Sequence, residues 1–241
     1  MIGLGTIINS AGIAAGGVIG HFTGKLFRPE QQDSLNKACG VSVLFIAIAG
    51  AMEGMLKISG ADLISGKSML VVLCLALGTI IGELIGIERG FEQFGEWLKR
   101  KTGSSGDAGF VNAFVTASLT VSIGAMAIVG AIQDGLLGDC STLAVKAVID
   151  CIIIAVMTSS MGKGAIFSAI PVFVFEGCMT LLARLLSPIM TPTALSYLSL
   201  VGSVLIFCIG VNLVWGKKLN VANMLPAVIL AIGAAYLPWS F

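Results

Sequence analysis

Long apolar stretches separated by short polar ones dominate the hydropathy pattern of this chain. A hydrocarbon core about 30 Å thick is crossed by a helix of roughly 20 apolar residues. By that measure the pattern predicts about eight membrane-spanning helices. They cover about residues 2–22, 38–57, 67–87, 111–133, 142–161, 164–186, 194–215 and 221–238. The predicted fold is therefore an all-α, polytopic membrane protein with a single transmembrane domain over residues 1–241.

Only Met161-Gly162-Lys163-Gly164 separates the fifth predicted span from the sixth. This segment is either a tight turn between two spans or a break in one re-entrant unit. The combined length of 142–186 suits two crossings, so we expect two separate spans.

The lysines and arginines between the spans predict the orientation, because cytoplasmic loops carry an excess of them. Ten fall on one side: Lys25, Arg28, Lys37, Arg89, Lys99, Arg100, Lys101, Lys163, Lys217 and Lys218. Four fall on the other: Lys57, Lys67, Lys146 and Arg184. We therefore expect the first side to be cytoplasmic and both termini to lie outside.

Two segments have the composition of anchors at the membrane surface. The cytoplasmic loop, about residues 88–110, contains an amphipathic piece at 92–101 with Trp97 and a basic end. It is either a helix at the interface or a solvated connector. At the C-terminal end, Tyr236, Trp239 and Phe241 are typical of an aromatic anchor at the outer interface.

Glycines recur every four residues in the first and third spans, and so line one face of each helix. The positions are Gly12, Gly16, Gly20, Gly78, Gly82 and Gly86. Such a face lets a second helix approach closely, which is how membrane helices gain van der Waals contact. We therefore predict that these glycines are helix-packing surfaces.

Short repeated motifs indicate related helix hairpins. Gly-Thr-Ile-Ile occurs at 5–8 and 78–81, and Gly-Ala-Met occurs at 50–52 and 124–126. Their order, together with a looser echo at Ile209-Gly-Val-Asn212 in the seventh span, predicts hairpins at spans 1–2, 3–4 and 6–7, with the last one inverted. Inverted repeats are common in secondary transporters, whose working site lies between them. A gene duplication without a transport role gives the same pattern.

The composition supports a membrane protein and excludes several other classes. The chain is 56% hydrophobic and 11% charged, whereas a soluble domain carries about 25% charged residues. A net charge of +1 argues against nucleic-acid binding. The six cysteines form no C-x-x-C pair, and H-E-x-x-H, P-loop and G-x-S-x-G motifs are absent. We therefore expect no metal, no cofactor and no enzymatic activity.

Glu176 is the clearest candidate for a functional residue, because it lies near the middle of the sixth span. An ionisable side chain at the bilayer centre costs about 2.5–3.5 kcal/mol on insertion scales. Its carboxyl group is therefore protonated, paired with a cation or exposed to a water-filled cavity, unless it only donates one interhelical hydrogen bond. We expect Asn9 and Glu83 to be its partners in a polar site.

Hydroxyl side chains alternate along the fourth span, at Thr116, Ser118, Thr120 and Ser122. They either bond back to their own helix or replace water around a permeating ion where the helix breaks. Because Gly124 follows directly, we hypothesise a discontinuous helix at Ser122–Gly124.

The segment between the fourth and fifth spans is polar and acidic, with Gln133, Asp134 and Asp139. It either collects cations at an entrance or is a solvated loop. Asp150 lies about two turns into the fifth span, and Lys146 precedes it at i, i+4. The two side chains are therefore also expected to neutralise each other.

Three segments resemble the YdfK/YqgA type of uncharacterised bacterial membrane proteins, a domain of unknown function. They are Gly5-Thr-Ile-Ile-Asn9, Gly78-Thr-Ile-Ile-Gly-Glu83 and the run from Ser122 to Gly135 that ends in Gln-Asp-Gly. The resemblance covers essentially the whole chain and implies a multi-pass protein of the bacterial cytoplasmic (inner) membrane. It implies no substrate and no functional residue.

The residues together favour a secondary transporter or channel for a small ion or solute. The alternative is a scaffold or sensor in the lipid bilayer that forms homo-oligomers through its glycine-rich helix faces.

Overall fold

The computed structural model describes residues 1–59, 62–123 and 125–237, and most of them are helical. The helices are α1 (Leu4–Gly24), α2 (Pro29–Met55), α3 (Ser68–Ile85), α4 (Ile87–Lys101), α5 (Phe110–Ser122), α6 (Ala125–Leu137), α7 (Ser141–Met161), α8 (Ala169–Leu181), α9 (Ala183–Leu186), α10 (Pro192–Trp215), α11 (Val221–Met224) and α12 (Pro226–Ala234). A 3-10 helix, Lys163–Ser168, leads into α8.

By length and composition, five helical segments of the described chain can cross a membrane: α2, α3, α7, α8 with its 3-10 helix, and α10. The bent pair α5 and α6 makes a sixth if it counts as one span. α1 is as long as α7, at 21 residues, but it is not among these five. Its glycines, Asn9 and His21 lower its mean hydropathy. The predicted number of eight crossings stays a prediction.

α2 and α10 run antiparallel along most of their length. Gly40, in the first half of α2, lies against Val214 near the end of α10, and Gly54 lies against Leu200 nearer its start. Opposite directions are expected for two spans that cross the bilayer in opposite senses.

α1 packs against α7 through its glycine face. A Cβ atom on Gly16 would overlap the carbonyl oxygen of Cys151, and one on Gly20 would overlap that of Ala155. Gly12 lies on the same contact. Residue numbers increase in the same direction on both sides of this contact, so α1 and α7 are parallel.

Two of the three glycines predicted to pack on α3 are in a close helix contact. A Cβ atom on Gly82 would overlap the carbonyl oxygen of Asn223 in α11, and one on Gly78 would overlap the amide nitrogen of Ala227 in α12. Gly86 is different, because a Cβ atom there would have its nearest neighbour at 3.9 Å. Gly86 instead ends α3 with a φ of 73°, in the left-handed region that glycine adopts readily. The prediction that Gly86 packs against a helix is therefore wrong.

The predicted discontinuity of the fourth span is confirmed. α5 ends at Ser122, α6 begins at Ala125, and the two axes are bent by 62°. Gly124 itself lies outside the described residues. Gly162, with a φ of 106°, separates α7 from the 3-10 helix, so residues 142–186 form two separate helices, as expected. The second ends at Leu181, earlier than predicted, and the short α9 follows.

The second predicted span is followed by a β-hairpin that the hydropathy pattern did not predict. β1 (Leu56–Ser59) and β2 (Asp62–Ser65) are antiparallel, with Leu56 opposite Ser65. Strands of four residues give too short a signal to be separated from the end of an apolar helix.

The amphipathic segment forms α4, which includes the predicted piece at 92–101. Phe94 and Trp97 stack at 5.7 Å on its exposed side, and its last turn is basic. This arrangement is typical of a helix at a membrane surface. Of the predicted C-terminal anchor, Tyr236 donates a hydrogen bond to the carbonyl of Ile189, whereas Trp239 and Phe241 lie outside the described residues.

Candidate functional site

Four polar side chains meet inside the helix bundle. They come from α1 (Asn9), α7 (Lys146 and Asp150) and α8 (Glu176). Asn9 and Glu176 have no exposed surface, and the other two are more than nine-tenths buried. The glycine face of α1 brings its backbone close to α7, and α1 also contacts α8, so Asn9 lies between the charged residues of both helices.

Glu176 has an incomplete set of partners. The Nδ2 atom of Asn9 donates a hydrogen bond to its Oε1 atom at 2.7 Å, and the Nζ atom of Lys146 lies 3.9 Å from the same oxygen. The other carboxylate oxygen, Oε2, has no hydrogen-bond partner, and neither has the Oδ1 atom of Asn9. Two buried oxygens thus remain as acceptors, and a proton, a cation or water can satisfy them.

Lys146 connects this cluster to the break between α5 and α6. It donates a hydrogen bond to Asp150, one turn further along α7, and another of 2.7 Å to the carbonyl oxygen of Val121. Val121 is in the last turn of α5, where carbonyls lack intrahelical donors. A lysine ammonium there satisfies the carbonyl and complements the negative end of the helix.

The charges of the cluster do not balance when every group is ionised. Asp150 and Glu176 carry two negative charges against the single positive charge of Lys146. Because an uncompensated buried charge is costly, the cluster favours the uptake of one proton or one monovalent cation. The described residues contain no group of three His, Cys, Asp or Glu side chains suited to a metal ion.

Asp134 lies apart from this cluster and caps the start of α1. It has no exposed surface and accepts hydrogen bonds from the amides of Gly3 at 3.2 Å and Gly5 at 2.9 Å. A carboxylate in this position satisfies free amides and favours the positive end of the helix. Thr6 and Thr180 share a hydrogen bond of 3.2 Å between α1 and α8.

The acidic entrance considered from the sequence is not assembled. Asp134 is buried, Asp150 is paired with Lys146, and Asp139 is exposed and accepts a hydrogen bond from the amide of Ser141. The three carboxylates are close in sequence, but each one binds a different partner and they do not form a common site.

The other polar candidates make local contacts. Thr120 donates to the carbonyl of Thr116 at 2.8 Å within α5, the alternative in which hydroxyls bond back to their own helix. Gln133 accepts a hydrogen bond of 2.7 Å from Thr142. The side chains of Thr116 and Ser122 each line a cavity on the side of α5 that faces α10.

Glu83 does not join Glu176. Its side chain is exposed on α3 and makes no hydrogen bond or ion pair within the described chain, whereas its neighbour Gly82 faces α11. The contact between Lys146 and Glu176 was not predicted, because the spacing of Lys146 and Asp150 indicates a self-contained pair. The one sequence signal for this contact is that Lys146 is a charged residue inside a predicted membrane span.

Comparisons with known proteins agree with the apolar helices. The family described as "Protein of unknown function (DUF554)" matches residues 4–236. The "Uncharacterized membrane protein YdfK" of Bacillus subtilis (strain 168) is 26% identical over 226 residues, which cover 94% of this chain and 93% of that protein. The "Uncharacterized protein YqgA" of Escherichia coli (strain K12) is 26% identical over 242 residues, covering 98% of each. No solved structure matches.

The family match covers nearly the whole chain, and a relative of full length is named a membrane protein. The resemblance inferred from the three segments is thereby confirmed. The chain belongs to the DUF554 family of proteins of unknown function.

Proposed function

We propose that this protein is a secondary transporter or channel that moves a small ion or solute across the bacterial cytoplasmic membrane. The observation that supports this most is the complete burial of Glu176 with one carboxylate oxygen unpartnered. Intramembrane carboxylates of this kind mark proton relays and ion pathways. In this proposal Glu176 takes up and releases a proton or a monovalent cation, and the protein is not an enzyme.

Lys146 provides a link between Glu176 and a movable part of the bundle. When Glu176 is ionised, its charge attracts the ammonium group, 3.9 Å away, from the carbonyl of Val121. When Glu176 is neutralised, Lys146 is free to bind Val121 and Asp150. The charge of Glu176 thus biases how firmly the break between α5 and α6 is held, which is a population shift between two states.

The path proposed for the chain has eight crossings, with partly inverted hairpins around the polar site. Its support is the direction of the packed helices: α1 and α7 are parallel, and α8 runs against both. Thr6 contacts Thr180 and Asn9 contacts Glu176, so residue numbers rise along α1 as they fall along α8. The two helices are therefore antiparallel.

The alternative, a scaffold that oligomerises through its glycine faces, has less support. Gly16 and Gly20 are covered by α7, and Gly78 and Gly82 by α11 and α12. These faces are used within the chain and are not free for a second copy.

The test is ion flux in liposomes that contain the purified protein. We expect flux of protons, Na⁺ or K⁺ through the wild-type protein, and flux equal to that of empty liposomes for Glu176→Gln. Glu83→Gln is the matched control, because Glu83 is exposed on α3, and it should retain wild-type flux. Unchanged flux in Glu176→Gln would disprove its assigned role, and absence of flux in the wild-type protein would favour the scaffold.

A further inference from the structure

Two adjoining cavities form a cleft between α4, α5, α10 and the α11–α12 segment. The first has a volume of about 430 Å³ and opens at the end of the bundle that carries most of the basic residues. The second has a volume of about 310 Å³. Leu119, which is almost completely buried, lines both cavities, so they adjoin at this side chain. These volumes fall in the range of about 300–1,000 Å³ that is usual for small-molecule sites.

The first cavity carries a surplus of one negative charge. Asp33 is neutralised by Lys37 at 2.6 Å. Glu88 and Glu92 share a single cation, since Lys217 lies 2.9 Å from one and 2.7 Å from the other. A cleft with a net charge of one sign raises the local concentration of ions of the opposite sign.

Lys217 stays charged in this arrangement. Burial alone lowers the pKa of Lys217, but hydrogen bonds from its ammonium to Glu92 and Glu88 outweigh burial, and the pKa is raised above its ordinary value. The surplus of one negative charge is therefore maintained at neutral pH.

Free polar side chains lie in the first cavity between its charged residues and Leu119. Asn112 and Thr116 lie one turn apart on α5 and line the first cavity. Their side chains make no hydrogen bond to other residues of the described chain. They are thus available to a polar group of a ligand that enters from the rim.

The second cavity is almost entirely apolar. Its walls include Phe91, Phe175, Met179, Leu198 and Val228, and Ser122 is its polar side chain among the described residues. Such a wall has too few oxygens to replace the water around an inorganic ion. It suits a hydrocarbon or aromatic group, which can pack against the rings of Phe91 and Phe175.

We infer that this cleft binds a small organic cation with an apolar body, its charged group on the side of Glu92 and its apolar group beyond Leu119. The inference rests on the proposed function, because the cleft is then the substrate site of the transporter. α5 joins the two sites: Leu119 lies in the cleft, and the carbonyl of Val121 binds Lys146.

The test is titration calorimetry of the purified, full-length protein in detergent with three water-soluble probes. Phenyltrimethylammonium has both the charge and the apolar body, tetramethylammonium has the charge alone, and benzyl alcohol has the apolar body alone. We expect phenyltrimethylammonium to bind about fivefold or more tightly than either of the others, since the attraction of its charge to the acidic first cavity adds to apolar burial in the second.

Two pairs of variants locate the probe. Glu92→Gln should weaken binding of phenyltrimethylammonium, whereas Glu96→Gln, one turn further along α4, should not, because Glu96 does not line the cleft. Phe175→Leu should weaken it, whereas Phe173→Leu, on the exposed side of α8, should not. A thermal unfolding curve of each variant shows whether it is folded.

Benzyl alcohol binding as tightly as phenyltrimethylammonium would overturn the inference and show a site for uncharged apolar groups such as lipid tails. Absence of binding, or equal effects of both members of a pair, would also overturn it. Glu176-dependent ion flux without binding of the cation would leave the proposed function standing and remove only the substrate class. Binding of the cation without Glu176-dependent flux would leave the cation-binding cleft standing and remove the proposed function of Glu176.

Discussion

At the scale of single residues, Lys146 holds the buried cluster together. It is the only cation near Asp150 and Glu176 among the described residues, and it also satisfies the free carbonyl of Val121. Removing one partner of a buried ion pair leaves an uncompensated charge, which costs about 3–5 kcal/mol. The cluster therefore depends more on this lysine than on either carboxylate.

Lys146→Met is expected to lower the unfolding temperature strongly, because two buried carboxylates then lack a cation. Asp150→Asn in the same chain should restore part of the loss, since it removes one of those charges. Thermal unfolding in detergent of both single variants and the double variant measures this coupling. Lys163→Met, outside the cluster, is the control. If the two substitutions simply add, the cluster is not coupled.

Asn9 and Glu176 could be predicted from the sequence, because isolated polar residues in apolar spans need a partner. Glu83 met the same criterion and was not brought to the site. The sequence does not reveal which face of α3 is covered, and Gly82, not Glu83, faces its neighbour α11. The role of Lys146 depends on a contact between α7 and α8 that no local pattern encodes.

At the scale of elements, close helix contacts place the site. The backbone of α1 touches that of α7 at Gly16 and Gly20, and the same helix brings Asn9 to Glu176 on α8. The break between α5 and α6 in turn frees the carbonyl that Lys146 binds.

Gly16→Ala is expected to destabilise the protein, because the added methyl group overlaps the carbonyl of Cys151, a backbone atom that cannot move aside alone. Gly90→Ala is the matched control in α4, where a Cβ atom has open space. It should be neutral or stabilise by up to about 1 kcal/mol through helix propensity. Unfolding temperatures in one detergent compare the two, and equal effects would mean that α1 and α7 are not in close contact.

Lys217 ties the loop after α10 to α4, and its contribution should depend on pH. Hydrogen bonds to Glu92 and Glu88, which outweigh burial, raise its pKa in the folded protein above the ordinary 10.5. Its stabilisation is therefore fully present below pH 10.5 and is lost as the pH rises through the higher folded value.

The unfolding temperatures of wild-type protein and Lys217→Met should thus differ at neutral pH and converge in strongly alkaline buffer. The exposed Lys218→Met is the control and should show no such convergence. A difference between wild type and Lys217→Met that stays constant through the alkaline range would refute the paired state of Lys217.

The break in the fourth span could be predicted because hydroxyl residues and a glycine coincide there. The β-hairpin after α2 could not, since its strands continue an apolar run and are too short to show a separate period. Gly86 was misread for a related reason: four-residue spacing continues past the end of α3, but the helix stops there in a left-handed turn.

At the scale of the whole molecule, composition decides the class and leaves the number of crossings open. The chain is 56% hydrophobic, and its relatives include a named membrane protein. By length and hydropathy, five or six segments of the described chain can cross a membrane, whereas the sequence pattern predicts eight. The difference arises partly because α1 carries several polar residues and because α5 and α6 are bent. Topology therefore needs its own measurement.

Reporter fusions test whether α5 and α6 cross the membrane together. A fluorescent protein fused after residue 105 is expected to be on the cytoplasmic side. Alkaline phosphatase fused after residue 139 is expected to be active outside. The basic residues orient the loop at residue 105 towards the cytoplasm, and one crossing separates it from residue 139. A fusion after residue 216 should again report the cytoplasm. If 105 and 139 report the same side, the bent pair is a re-entrant loop.

The central claim is that the buried Glu176 exchanges its charge state with the surrounding solution. The most direct measurement is infrared difference spectroscopy of the protein in liposomes between acidic and alkaline pH. We predict a carboxyl C=O band that changes with pH in the wild-type protein, persists in Glu83→Gln and is absent in Glu176→Gln. If no such band is lost in Glu176→Gln, and none responds to Na⁺ or K⁺, then Glu176 is a sealed structural residue and the account is contradicted.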